Sequence, residues 1–283
     1  MVKIFADSTS DLSQELIERY GITIIPLHIV LGDKEYRDGI DITEDEIYAW
    51  SDENKTTPKT SAPSIQDAID AFEGVVGAGD EIIAFTISEK MSTTANVLRM
   101  AADELDASDR ISVVDSANLS TGIGLQVTEA AVKAREGLTR EEILAHIEAV
   151  KPLVRASFVV DTLTYLHRGG RCSSVAAIAG NILGLHPEID VIDGAMQAGR
   201  KFRGKIDSVI RHYANDLKEE LLKARPDRVF ITHSKVSDEL ENEIKEFVES
   251  LGYFDEILCT DAGGVICSHC GPGTLGVLYI AKE

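Results

Sequence analysis

The sequence predicts an α/β fold in two parts, a parallel-sheet domain over residues 1–152 and an α+β domain over residues 153–283. Three observations predict it. In the first half, short apolar runs alternate with amphipathic helical stretches, an order that needs crossover connections and so a parallel sheet. After Pro152 strands and helices follow one another in mixed order, around an Asp193-Gly194 hairpin turn. Hydrophobic residues make up 44% of the 283 positions but aromatics only 6%, so the core of either part must be mostly aliphatic.

Residues 3–7 (KIFAD) form the first strand. The stretch Ser8-Thr9-Ser10-Asp11 follows, then a helix over 12–20 stopped by Gly21. Residues 22–31 form a second strand, made irregular by Pro26, which has no N–H to give a sheet partner. Turns at Gly32-Asp33 and Asp38-Gly39 mark a small excursion from the main sheet near 32–58. Within it, Thr43 and Glu46 predict a capping box for a helix through Trp50. A polar loop runs from Lys55 to Lys59, and Ser64 with Asp67 then opens a helix to Val76. Strand 81–87 leads through Ser88 to Thr94 into a helix ending at Leu105, and strand 111–114 leads through Asp115-Ser116 into a helix ending at Arg135. Thr139 and Glu142 cap a helix over 140–151. Helices on both faces of such a sheet make this half Rossmann-like.

Ligands of parallel sheets sit beyond the carboxyl ends of the strands. Three strands end in hydroxyl-rich loops, Ser8-Thr9-Ser10, Ser88 to Thr94 and Asp115-Ser116, which should share one rim. Any single serine there is better read as a helix N-cap. Their coincidence on one rim is what points to a site.

In the second half, strand 154–160 precedes a short helix, 162–170, that ends in Gly169-Gly170. A small-residue helix over 173–185 packs closely or leaves room for a long apolar ligand. A hairpin over 188–204, a long helix over 206–224, strand 228–232, helix 237–251 and strand 254–260 follow. Last come a Gly271-Pro272-Gly273 turn presenting His269 and a closing strand over 275–281.

The net charge of −20 argues against nucleic-acid phosphates and broad contact with anionic membranes. No apolar run approaches the ~20 residues of a membrane helix. The opening Val2-Lys3-Ile4-Phe5 reads as a strand and not a signal peptide. Four cysteines are too few for a disulfide framework, and a cytoplasmic location is expected. Cys267 and Cys270 have the spacing of a zinc or redox pair, but no second Cys-x-x-Cys exists and a structural zinc needs four ligands. Two packed thiols are the favoured reading, with no metal. Gly169-Gly170 lacks the spacing of a nucleotide-binding loop and reads as a helix C-cap. Arg168, Arg171, Arg200, Lys201, Arg203 and Lys205 form a basic stretch in an acidic chain, a site for an anion or an acidic partner.

Together these motifs resemble the DegV family of bacterial fatty-acid-binding proteins. The resemblance runs through Asp7-Ser8-Thr9-Ser10-Asp11, Thr60-Ser61-Ala62-Pro63-Ser64 and Ser88 with Met91-Ser92-Thr93-Thr94. It continues through Asp115-Ser116 to Gly124, Leu163 to Arg171, and His269 with Gly271-Pro272-Gly273-Thr274. It implies a fatty acid held between the two domains, its carboxylate bound by Thr60, Ser61, Ser92 and His269, with Ser8, Thr94 and Ser116 in support. It also implies a carrier without catalysis or cofactor of its own, serving phospholipid synthesis. A separate ATP-dependent kinase subunit would phosphorylate the bound acid, contacting Arg168, Arg171, Arg200, Lys201 and Arg203, with transient membrane contact for lipid exchange. Thr93 stands where the family usually has Gly. The alternative is a phosphoryl- or acyl-transfer enzyme on a dihydroxyacetone-kinase-like scaffold, with His269 as nucleophile or base.

Overall fold

The first sheet has four parallel strands in the order β2-β1-β6-β7. They are β1 (Val2–Asp7), β2 (Thr23–Ile25), β6 (Glu81–Thr86) and β7 (Ile111–Asp115). The structure, a computed structural model, describes residues 1–172 and 184–282. Strand β1 shows why both faces are covered. Phe5 points into a core with Phe72 and Leu98 of helices Ile65–Gly77 and Thr94–Glu104. Its neighbours Ile4 and Ala6 point the other way, into a core shared with Ile123 and Val127 of helix Thr121–Arg135. Period-2 alternation between two apolar layers gives the unbroken buried run expected of a parallel strand.

Pro26 does more than roughen a strand. It divides the expected 22–31 element into β2 and β3 (His28–Leu31), which join different sheets. Strand β3 is the centre of a small antiparallel sheet between β4 (Lys34–Arg37) and β5 (Lys59–Ser61). Lys59, expected to end a polar loop, thus opens a strand that also carries Thr60 and Ser61. The capping box expected at Thr43 is formed, and the caps expected at Ser64 and Thr139 are formed as capping boxes too.

The third sheet orders its six strands β10-β9-β8-β13-β11-β12. These are β8 (Val154–Val159), β9 (Leu185–Ile192), β10 (Ala195–Arg203), β11 (Ala224–Ser234), β12 (Glu256–Asp261) and β13 (Thr274–Ala281). All neighbours are antiparallel except β11 and β12. Strands β9 and β10 are the expected hairpin around Asp193-Gly194. Helices Ile206–Asp216 and Asp238–Ser250 cover one face through Val209, Tyr213 and Ile244. Helix Thr121–Arg135 lies between this sheet and the first, with Thr121 to Ala131 all buried. A helix buried all round has no polar stripe, which explains its weak amphipathic signal.

Other expectations differ from what is observed. The long helix over 206–224 ends at Asp216, a second short helix follows at Lys218–Leu221, and β11 begins by Ala224. The helix expected over 173–185 lies outside the described residues up to 183, and Leu185 already opens β9. His269 sits not in a turn but in the last turn of helix Gly264–Cys270. That helix starts after β12 on two glycines, which gave no helical signal in the sequence.

Candidate ligand-binding cavity

Three elements converge on one cavity of about 500 Å³. Strand β5 of the small sheet brings Thr60 and Ser61 to its wall, with Ala62 just beyond. The loop after β6 brings Ile87, Met91, Ser92 and Thr93. Helix Gly264–Cys270 brings Val265, Ile266, His269 and Cys270. Leu27, Leu119 and Met196 complete an apolar lining, and Arg171 reaches the wall from beyond Gly169-Gly170. Ser61 and Arg171 are exposed, so this polar side opens to solvent.

The loop after β6 is folded by its own backbone. Met91 N–H and Ser92 N–H both donate to the Ser88 carbonyl, at 2.8 and 3.1 Å. The Ser92 hydroxyl lies 2.9 Å from that of Thr94 and accepts the Thr94 N–H. Thr93 has φ −93°, a conformation any residue adopts, so threonine fits where the family usually has glycine.

His269 is held from two sides. Its Nε2 lies 2.8 Å from the Thr60 hydroxyl. Its Nδ1 is buried without a hydrogen-bond partner among the described residues and faces Gly169. A β-carbon at Gly169 would fall far inside van der Waals contact with that nitrogen. The two adjacent glycines therefore have different tasks. Gly170, at φ +68°, is the expected left-handed C-cap, and Gly169 is a close-approach residue that sequence reasoning missed. After the helix, Gly271 takes φ +80°, and its N–H donates to the Cys267 carbonyl at 2.9 Å. Thr274 Oγ1 donates back to the Gly271 carbonyl at 3.0 Å and the Gly273 N–H donates to the Ser234 carbonyl at 2.8 Å, so the Gly-Pro-Gly segment is tied at both ends.

Burial, and then the nearby Arg171, push the His269 pKa down to about 4. The imidazole is thus neutral at neutral pH. A neutral imidazole has one N–H donor, and hydroxyls donate or accept by rotation, so this group of side chains can receive a carboxylate or other acceptor without burying a fixed charge beside it. The sign of the pH effect follows. Between about 6.5 and 4 the unfolded chain protonates His269 and the folded chain does not, so stability is lost as pH falls through that window, by about 3 kcal/mol if undiluted. Asp7 acts the opposite way, because burial raises its pKa to about 6, so its ionisation costs stability as pH rises from 3.8 to about 6. Urea unfolding at pH 7 and pH 4.5 should show a smaller loss of stability on acidification in His269→Gln than in the natural chain. Equal losses would mean that His269 titrates normally.

The structure thus brings together Thr60, Ser61, Ser92 and His269, with Thr94 buried directly behind Ser92. It does not bring Ser8 or Ser116 to this cavity. The Ser8 hydroxyl donates to Asp38 at 2.7 Å and accepts the Leu27 N–H. The Ser116 hydroxyl accepts the Asn118 N–H at 3.1 Å in a local turn. Of the three hydroxyl-rich loops, only the middle one reaches the cavity. The basic stretch also divides. Arg171 lines the cavity, while Arg200 makes a two-pronged pair with buried Glu188 at 2.6 and 3.0 Å and faces Asp216. Arg168, Lys201 and Arg203 are exposed. Cys267 contacts Ser234, Glu44 and the Ala262 carbonyl, and burial pushes Cys270 up to about 12, so both are packed, protonated thiols. Among the described residues, no group of three or more His, Cys, Asp or Glu is placed to hold a metal, and no helix is long and apolar enough to cross a membrane.

A three-sheet α/β scaffold with an apolar cavity ending in hydroxyls and a neutral histidine defines a small-molecule-binding protein. The family model described as "Uncharacterised protein, DegV family" matches residues 1–282. A DegV domain-containing protein of Caldanaerobacter subterraneus is 34% identical over 281 residues, 99% of each chain. A DegV-family protein from Thermus thermophilus, solved for its fatty-acid binding, superposes with a TM-score of 0.90 at 30% identity over 99% of each chain. A stearic-acid-binding protein from Eubacterium ventriosum superposes with 0.86 at 31% identity, over 100% of this chain and 99% of its own. The chain belongs to the DegV family.

Proposed function

We propose that this chain binds a long-chain fatty acid, with its carboxylate at Thr60, Ser61, Ser92 and His269, and presents that carboxylate to a separate ATP-dependent kinase for acyl-phosphate formation. The observation that carries the proposal is the convergence of three hydroxyls and a neutral imidazole on the solvent-opening side of an apolar cavity. The solved DegV-family proteins from Thermus thermophilus and Eubacterium ventriosum, described as binding fatty acid and stearic acid, support the ligand class.

The two ends of such a ligand have different roles. Each buried methylene contributes about 0.8 kcal/mol, so ~14 of them set an upper limit near 11 kcal/mol before ordering costs. The tail supplies affinity. An unpaired buried carboxylate would cost several kcal/mol, so the hydroxyls and His269 serve to hold and orient the head. Exposed Arg168, Lys201 and Arg203, with Arg171 on the cavity wall, offer the kinase cationic contacts in an otherwise acidic chain. Arg200 is committed to Glu188 and is left out of that contact.

Binding of octadecanoate and of octadecan-1-ol, compared in the natural chain and in His269→Ala, tests the head group. The natural chain should prefer the acid, and His269→Ala should lose most of that preference while still binding both. Acyl-phosphate formation with an added fatty-acid kinase should fall further than affinity does. Unchanged turnover in His269→Ala would remove His269 from the transfer. Arg203→Glu should weaken coupling to the kinase and leave lipid content alone; loss of lipid instead would make Arg203 part of the pocket or the fold.

A further inference from the structure

The Asp7-Ser8-Thr9-Ser10-Asp11 segment is absent from the cavity wall, yet its bonds lead to both halves of the polar site. Asp7, fully buried at the end of β1, accepts the Ile87 N–H at 2.8 Å. Ile87 is the first residue of the loop that carries Ser92. Asp11 accepts the Gly263 N–H at 2.8 Å, and Asp38 accepts the Gly264 N–H at 2.8 Å. These are the first donors of the helix that ends on His269, and helix starts leave such donors without intrahelical partners. The remaining oxygens are also engaged. Ser8 donates to Asp38 at 2.7 Å and Ser120 to Asp11 at 2.6 Å. Asp11 and Asp38 are only 5% and 2% exposed. The helix start is pressed onto this support, because a β-carbon at Gly264 would lie 2.6 Å from Ile29 Cδ1 and 3.0 Å from Asp38 Oδ1.

We infer that Asp7, Asp11 and Asp38 form a clasp of positioning residues that sets His269 and Ser92 relative to each other. They touch no ligand and act through the Gly264–Cys270 helix and the loop after β6. The clasp spans the chain, from its first forty residues to a helix more than two hundred residues later, and so joins the first sheet to the third. It explains why an acidic, hydroxyl-rich opening segment belongs to a site it does not line. The assignment of a positioning role for a fatty-acid carboxylate rests on the function proposed above.

The test uses the full chain labelled at histidine, with the His269 imidazole NMR signal assigned by its loss in His269→Gln. Asp38→Ala should shift that signal in unloaded protein. Asp38→Asn should restore it, because an amide oxygen still accepts the Gly264 N–H and the Ser8 hydroxyl can turn to suit. The preference for octadecanoate over octadecan-1-ol should fall about tenfold in Asp38→Ala, as for the loss of one hydrogen bond to a charged group. It should fall no further in Asp38→Ala combined with His269→Ala than in His269→Ala alone. A His269 signal unmoved by Asp38→Ala, or losses that add in the double variant, would overturn the clasp. If Asp38→Ala does not fold, Ser8→Ala, which removes a donor to Asp38 and the acceptor of the Leu27 N–H, should shift the same signal by less, and an unmoved signal there would count against the clasp equally. Should the natural chain show no preference for the acid, the fatty-acid reading fails, and the imidazole signal alone still decides the clasp.

Discussion

Gly169→Ala should dislodge His269 and remove most of the preference for a carboxylate head group. The added methyl group has nowhere to go, since the half-buried imidazole already sets its sealed Nδ1 against Gly169. Either the His269–Thr60 bond breaks or the helix that ends at Gly169 backs away. Overpacking of this kind costs about 1–3 kcal/mol of stability. The binding loss should be specific, about tenfold for octadecanoate relative to octadecan-1-ol, comparable to a lost hydrogen bond to charge. Gly170→Ala provides the control. Its β-carbon meets nothing within 4 Å, but its φ of +68° makes alanine strained there. It should cost about 1 kcal/mol of stability and leave head-group preference intact. If the two variants bind alike, Gly169 is only a helix end.

Ala62→Trp should abolish lipid uptake with little effect on folding. Ala62 lines the cavity from the segment after β5, is half-buried, and is outside the main cores. An indole there takes space that the acyl chain needs. Four displaced methylenes would cost about 3 kcal/mol, or roughly 200-fold in affinity. Fluorescence titration with a long-chain fatty acid would measure it, with thermal unfolding as the check on the fold. Retained affinity would mean that the tail runs elsewhere.

Much of this architecture can be read from the sequence because local rules and tertiary structure agree. The strand–helix alternation, the three capping boxes and the Asp193-Gly194 hairpin are local signals, and each is present. Legibility ends where a residue's role depends on a distant partner. Pro26 signals a break, but not that β2 and β3 go to separate sheets. Ser8, Ser92 and Ser116 are alike as loop serines after parallel strands. Only the third dimension sends Ser92 to the cavity, Ser8 to Asp38 and Ser116 to a local turn. Arg200 reads as a free cation until Glu188 is seen against it. The Gly-Gly pair shows its C-cap in the sequence, but the approach of His269, one hundred residues away, leaves no local trace. The four residues of the polar group were legible through family resemblance, because no spacing rule joins residue 60 to residue 269.

This cavity is proposed above all to hold a fatty acid. Lipid extraction and mass spectrometry of the protein purified from bacteria tests it most directly. Long-chain fatty acid near one equivalent per chain, absent from Ala62→Trp purified in parallel, is the predicted result. A natural chain that is consistently empty, and takes up no added fatty acid, would contradict it.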